Sequence, residues 1–399
     1  MKNTLKIAVL LCLSALLIFF SASCNGSQNE PPSSDAAEQG PTEPPITAPT
    51  ETTAGEDASS HIHLYGPWRT SQKATLTETG LKERTCTCGG REEQVIPALA
   101  SEGLAYEVNE DGRTCKIAGR GSCTDAIIYF PLKIDGYRVT SIGENAFYYD
   151  YTLEGVVLSE SIERIERSAF HGCWNLAAVK LPDYLASIEE FAFADCPNLK
   201  NIKLPEDLVR LGANAFNGCE DLISITVPGS VGKLNDGVFK LCTSLKTVHL
   251  GEGISAIDDE AFNVCSALEK IVLPNTVKSI GAYAFALCDN LTSITLSGNL
   301  KTIGENAFSN CYSLTDITLP EGLVGIGKTA FSECSRIGEL SVPDSVKYIN
   351  ESAFQNCERL VKITFGGTVE EWNAIEKGTG WDKGTGDYTV YCTNGNTTK

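Results

Sequence analysis

Basic charge is scarce in this chain: 32 Lys and Arg stand against 51 Asp and Glu, a net charge of −19 over 399 residues. Such a chain repels nucleic acid and anionic lipid headgroups, which are held by clusters of Lys and Arg. The expected partners are neutral, cationic or reached through calcium. Histidine is scarcer still, with four residues. No H-E-x-x-H, G-x-S-x-G, P-loop or paired catalytic carboxylate signature occurs, which argues against an enzyme and against a cofactor. Long apolar runs are also missing apart from Ile7 to Phe20, which is too short and too early for a comfortable membrane span.

That run follows Lys2 and Lys6 and reads as an export signal. The residues after it, Ser21-Ala22-Ser23-Cys24, resemble the lipobox of bacterial lipoproteins, with Ser21 where that pattern usually has Leu. The resemblance implies that residues 1–23 are removed and that Cys24 is lipidated, which tethers the chain to the outer face of a membrane. Plain secretion is the alternative. Removal of Lys2 and Lys6 leaves the remainder two charges more negative. Residues 25–60 are rich in Pro, Ser, Thr and Glu and contain no Lys or Arg. With little to bury, residues 24–60 are expected to form a disordered stalk whose mean span is about 30–36 Å.

Residues 61–100 hold His61, His63, Tyr65, Trp68, Ala74, Thr75, Glu78, Gly80, Arg84, Cys86 and Cys88. Their outline resembles a small module of surface proteins from gut-type anaerobes. Leu76 stands where that module has a cysteine, and its C-x-x-C is compressed to Cys86-Thr87-Cys88. A small β module with free or oxidised thiols is the leading expectation. His61, His63, Cys86 and Cys88 as two pairs of zinc ligands are the weaker one, because structural sites favour C-x-x-C spacing. Residues 101–140 alternate apolar and polar around Asp111-Gly112 and Asp135-Gly136, which predicts β-hairpins forming an N-terminal cap.

Phenylalanine then recurs at 147, 170, 193, 216, 239, 262, 285, 308, 331 and 354, always 23 residues apart. Ten copies without insertion predict a solenoid in which each repeat is one coil on the next. Positions 9 and 11 after each Phe are apolar throughout, as in Ile271 and Leu273, and mark a strand with one buried face. Apolar residues at +15 and +18 begin the next side, and the spacing of Ala, Phe and Cys suits a helical or 3₁₀ turn.

Cys173, Cys196, Cys219, Cys242, Cys265, Cys288, Cys311, Cys334 and Cys357 all stand at +3, with Asp150 in the first repeat. They form one column, one per rung. Nine is odd, and parallel Cβ vectors sit slightly too far apart for disulfides. A row of small buried hydrophobes with weak thiol donors fits the pattern best.

The phrase Leu-x-x-Ile-x-Leu-Pro-x-x-Leu-x-x-Ile-Gly-x-x-Ala-Phe-x-x-Cys strongly resembles the BspA-like leucine-rich repeat family of bacterial surface proteins. The match runs from about residue 101 to 399. It implies an α/β solenoid of ten repeats over 141–365 with short strands and short helical turns. Residues 366–399 resemble the family's closing cap, with Trp372 at the +18 position and Cys392 in the final strand. The resemblance also implies adhesion or recognition of an extracellular protein or glycan; a monomer that reaches the membrane through its lipid alone is the expected form. A capture lipoprotein serving a neighbouring enzyme or transporter, and a structural envelope spacer, are the alternatives.

Within the repeats, Tyr148 and His171 share +1 while Tyr151 and Trp174 share +4, with Tyr149 beside them. Stacking predicts an aromatic patch on the first two rungs, a candidate ligand-binding site unless the N-terminal cap buries it. Two other columns have plainer expectations. The outward +10 strip of Thr226, His249, Thr295, Thr318, Ser341 and Thr364 suits solvated strand residues, with ligand contact by its hydroxyls the lesser alternative. The acids Glu189, Glu190, Asp258, Asp259, Glu260, Glu305 and Glu351 suit a charged turn, with calcium the lesser alternative.

Overall fold

The structure, a computed structural model, describes residues 65–72, 80–87, 89–96 and 100–399. The export signal, Cys24, the stalk, His61, His63 and Cys88 lie outside these residues. Arg69–Gln72, Gly80–Thr85 and Arg91–Ile96 form a three-stranded antiparallel sheet. Arg84 lies over the rings of Tyr65 and Trp68, at 4.8 and 4.7 Å, and pairs with Glu92. Three residues of the module outline thus form a pair of cation–π contacts that share one guanidinium. Cys86 is buried, and among the described residues no group of three His, Cys, Asp or Glu is placed to hold a metal ion.

The 23-residue step becomes the pairing register. Gly155–Val157 lies parallel to Ala178–Lys180 with Val156 opposite Val179, and Glu339–Val342 lies parallel to Lys362–Phe365 with Leu340 opposite Ile363. Side chains alternate along a strand, so +9 and +11 turn inward and +10 outward. A second parallel ladder of two-residue strands, such as Ser279–Ile280 beside Thr302–Ile303, buries the +18 residue of each rung. The result is a leucine-rich repeat β-solenoid of about 12 turns, the ten repeats being extended by a coil at each end.

The third side of each coil differs from the helical turn that the Ala, Phe and Cys spacing suggests. The residues two before and two after every repeat Phe have positive φ, for example Glu260 at 58° and Val264 at 62° around Phe262. Left-handed residues at that interval interrupt any right-handed helix. The segment is a run of tight turns. Ala169, His171 and Cys173 donate within their own rung, to Glu166, Ser168 and Phe170, whereas Ser168, Phe170 and Gly172 donate to Glu190, Ala192 and Ala194 of the next. The backbone donors are thereby shared between turn closure and rung stacking.

Ten buried Phe rings run through the solenoid in an offset stack, with centroids 5.1–5.8 Å apart and planes within 19° of parallel. Edge-on rings close both ends, Phe130 against Phe147 and Trp381 against Phe354. Burial of each ring contributes on the order of 1.5–3 kcal/mol.

The caps explain two departures from the repeat. Asp150 replaces the column cysteine because Arg120 of the N-terminal cap binds it, Nε to Oδ2 at 2.7 Å, while also donating to the Asp125 carbonyl. At the other end Trp372 does not occupy the +18 strand position. It is buried in the helix Val369–Ala374, which has a capping box of Thr368 and Glu371. This insertion shifts the register, so that Ile349 pairs with Lys377.

Candidate functional site

The column cysteines are buried, and each thiol donates to the carbonyl of the Phe in the preceding rung at 3.0–3.3 Å. Burial pushes the thiols up, to about 12 for Cys173, Cys311 and Cys357. A thiol so held is a packing element and a poor nucleophile. Five of the seven corner acids are ion-paired, whereas Asp259 accepts from the Ala282 amide and Glu305 from the Asn306 side chain. Glu189 pairs with Arg210, Glu190 with Arg167, Asp258 with Lys233, Glu260 with Lys240 and Glu351 with Lys328. His249 is exposed on the strand face, away from His171.

The aromatic patch is assembled by the first two rungs. Tyr148 stacks on His171 at 5.0 Å, Tyr149 meets the edge of Tyr148 at 4.5 Å, and Tyr151 meets Trp174 at 5.5 Å and 73°. The cap leaves these rings open: Trp174 is 54% exposed, Tyr151 50%, Tyr148 49% and Tyr149 39%. His171 differs, with its side chain only 16% exposed beneath Tyr148, and its Nε2 lies 3.5 Å from Asp195 Oδ2. The histidine supports the patch from below. The neighbouring Tyr148, with some burial, pushes the Tyr149 phenol above its ordinary value.

The +2 column explains the placement of Tyr149. A Cβ on Gly172 would lie 2.3 Å from Tyr149 Cδ1, and one on Gly218 would lie 2.5 Å from Asp195 Oδ1. A large side chain on one rung leans over glycine on the next, twice in succession. Between this column and the +4 column lies a cleft of about 330 Å³ lined by Tyr149, Trp174, Asp195, Pro197, Gly218 and Glu220. The Asn175 amide donates to the Tyr151 carbonyl at 2.6 Å, which ties the corners of the first two rungs.

The ring pairing follows from the 23-residue register. The cleft's other half, Asp195, Pro197, Gly218 and Glu220, goes unmarked in the sequence reading, although alternation of Tyr149, Gly172, Asp195 and Gly218 at +2 carried the signal. The arrangement offers ring faces at one end and carboxylates at the other, a combination suited to holding a ligand.

Residues 140–269 and 255–375 match the family model of the BspA type leucine rich repeat region. The chain is similar to a leucine-rich repeat protein from Bacteroides ovatus at 28% identity, over 66% of this chain and 70% of that one, with a TM-score of 0.60. Further similarity is to a leucine rich cell surface protein from Faecalibacterium prausnitzii, at 24% identity over 69% and 97% of the two chains, TM-score 0.43. The pneumococcal vaccine antigen PcpA is similar at 23% identity over 75% and 82%, TM-score 0.41. No curated protein matches the chain.

Proposed function

We propose that this chain, which belongs to the BspA-type leucine-rich repeat family, is a surface-displayed, lipid-anchored binding protein that mediates adhesion or recognition through its solenoid. The observation that carries this is the cluster of four open rings on the first two rungs. Large exposed rings are common anchors of binding surfaces. Elsewhere the +4 column holds Pro197, Glu220, Thr243, Ser266, Asp289, Ser335 and Glu358, with Tyr312 its one further ring, so adjacent rings on successive rungs are a local departure from the repeat. The export signal, Cys24 and the Pro-rich segment support display at the outer face of a membrane.

The test is an array of extracellular matrix proteins, peptides and glycans probed with the full chain. A specific hit that weakens in a Tyr151→Ala, Trp174→Ala double variant supports recognition through the patch. Silence across the array contradicts it and favours a spacer. The anchor is tested separately: Cys24→Ser should move the protein from the detergent phase to the aqueous phase on detergent partition. Unchanged partition contradicts lipidation.

A further inference from the structure

The groove between the +2 and +4 columns differs in charge along its length. Its first rungs present Tyr149 and Trp174, with Tyr151 against Trp174 beside it; its far end presents the carboxylates of Asp195 and Glu220, and no Lys or Arg is among the residues that line it. Among the described residues Glu220 has no ion pair, and the only one of Asp195 is with His171, at 3.5 Å. None of the cation–π contacts among these residues uses the rings of the patch. Five acids of the charged corner pair with Lys or Arg, while among the described residues Asp259 and Glu305 there do not; what sets Asp195 and Glu220 apart is that they lie beside open rings.

The same chain shows what such a set holds. In the small β module, the guanidinium of Arg84 lies over the rings of both Tyr65 and Trp68 and pairs with Glu92. The groove repeats that composition, Tyr, Trp and carboxylate, without a cation of its own.

We infer that the groove takes an arginine or lysine side chain from an extended segment of a partner polypeptide, its cationic head between the rings and the Asp195 and Glu220 carboxylates. The planar guanidinium suits this best, since it stacks on a ring face and forks to a carboxylate. The net charge of −19 draws such a segment in from solution. Four rungs give a groove about 14 Å long at the spacing of neighbouring strands, enough for a few extended residues. The inference rests on the binding function proposed above and names the chemistry of its partner.

The probes are an acetyl-Gly-Arg-Gly-Arg-Gly amide, its citrulline counterpart, which keeps the shape and removes the charge, and cellohexaose as a neutral saccharide. Binding to the full chain is followed by calorimetry and by fluorescence of the exposed Trp174. The arginine peptide should bind at least about tenfold more tightly than the citrulline peptide. Its affinity should fall about tenfold in Trp174→Ala and in an Asp195→Asn, Glu220→Gln pair, each about the scale of one desolvated cation–π or charged contact. Trp174→Phe, which keeps a ring face, should retain most of the binding. If Trp174→Ala does not fold, the double amide variant decides, since it alters only groups that reach solvent. Equal binding of the two peptides, undiminished binding by the variants, or binding of cellohexaose alone overturns the inference. An array partner that binds independently of the carboxylates overturns it while leaving the wider function standing; no array partner at all removes both.

Discussion

The thiol of Cys265 donates to the carbonyl of Phe239, one rung before it, at 3.1 Å, and the same oxygen accepts the Cys242 amide at 3.2 Å. Each Phe carbonyl at such a junction therefore serves its own turn and the next rung. The small size of cysteine, its tolerance of burial and its weak donor explain the column better than redox chemistry does.

Cys265→Ala should lower stability by about 1–2 kcal/mol in reversible unfolding, since it removes a small buried group while Phe239 keeps its backbone donor. In the native protein a thiol reagent at neutral pH should leave the nine column cysteines unlabelled, because they are buried and their pKa values are raised. Modification of most of them before unfolding contradicts the packing role.

The N-terminal cap should carry an acid-sensitive tie. Burial pushes the Asp150 carboxyl up, but Arg120 and Thr152 more than offset this and hold it below its ordinary 3.8. A lowered folded value stabilises the fold above the ordinary carboxylate range, and that stabilisation is lost as pH falls through 3.8 toward the folded value. Thermal unfolding of the parent and of Asp150→Asn should differ by a constant amount near neutrality and converge below about pH 4. A difference that persists unchanged at lower pH contradicts the tie.

Both ladders thin over the same stretch. The long one narrows to single bridges at Asn201, and the short one has only the Leu234 to Ile257 bridge after Leu211, where the Asn235 amide donates to the Leu211 carbonyl instead. The Phe216 to Phe239 spacing, 5.8 Å, is the widest of the repeat stack. Amides between 201 and 234 should exchange faster than their counterparts between 270 and 303. Uniform protection along the chain contradicts this.

What could be read beforehand depended on repetition. Ten copies fixed the inward faces of Ile271 and Leu273 and the burial of Cys265, because any other register would expose a whole column. The turns around Phe262 were less legible: Leu241, Val264 and Leu287 adopt left-handed φ, which their side chains do not advertise. Trp372 was misplaced because the helix Val369–Ala374 breaks the 23-residue count just where the repeat ends. In the site, the pairing of Tyr151 with Trp174 followed from the register, whereas the cleft at Asp195 depends on Gly172 and Gly218, whose role is visible only once side chains lean across rungs.

Amide-exchange footprinting of the full chain with a partner identified on the array is the most direct test of recognition through the groove. The account predicts protection centred on residues 148–151, 171–174, 195–197 and 218–220. Protection centred instead on the strand face around Thr226, His249 and Thr295, with these four segments unchanged, contradicts it.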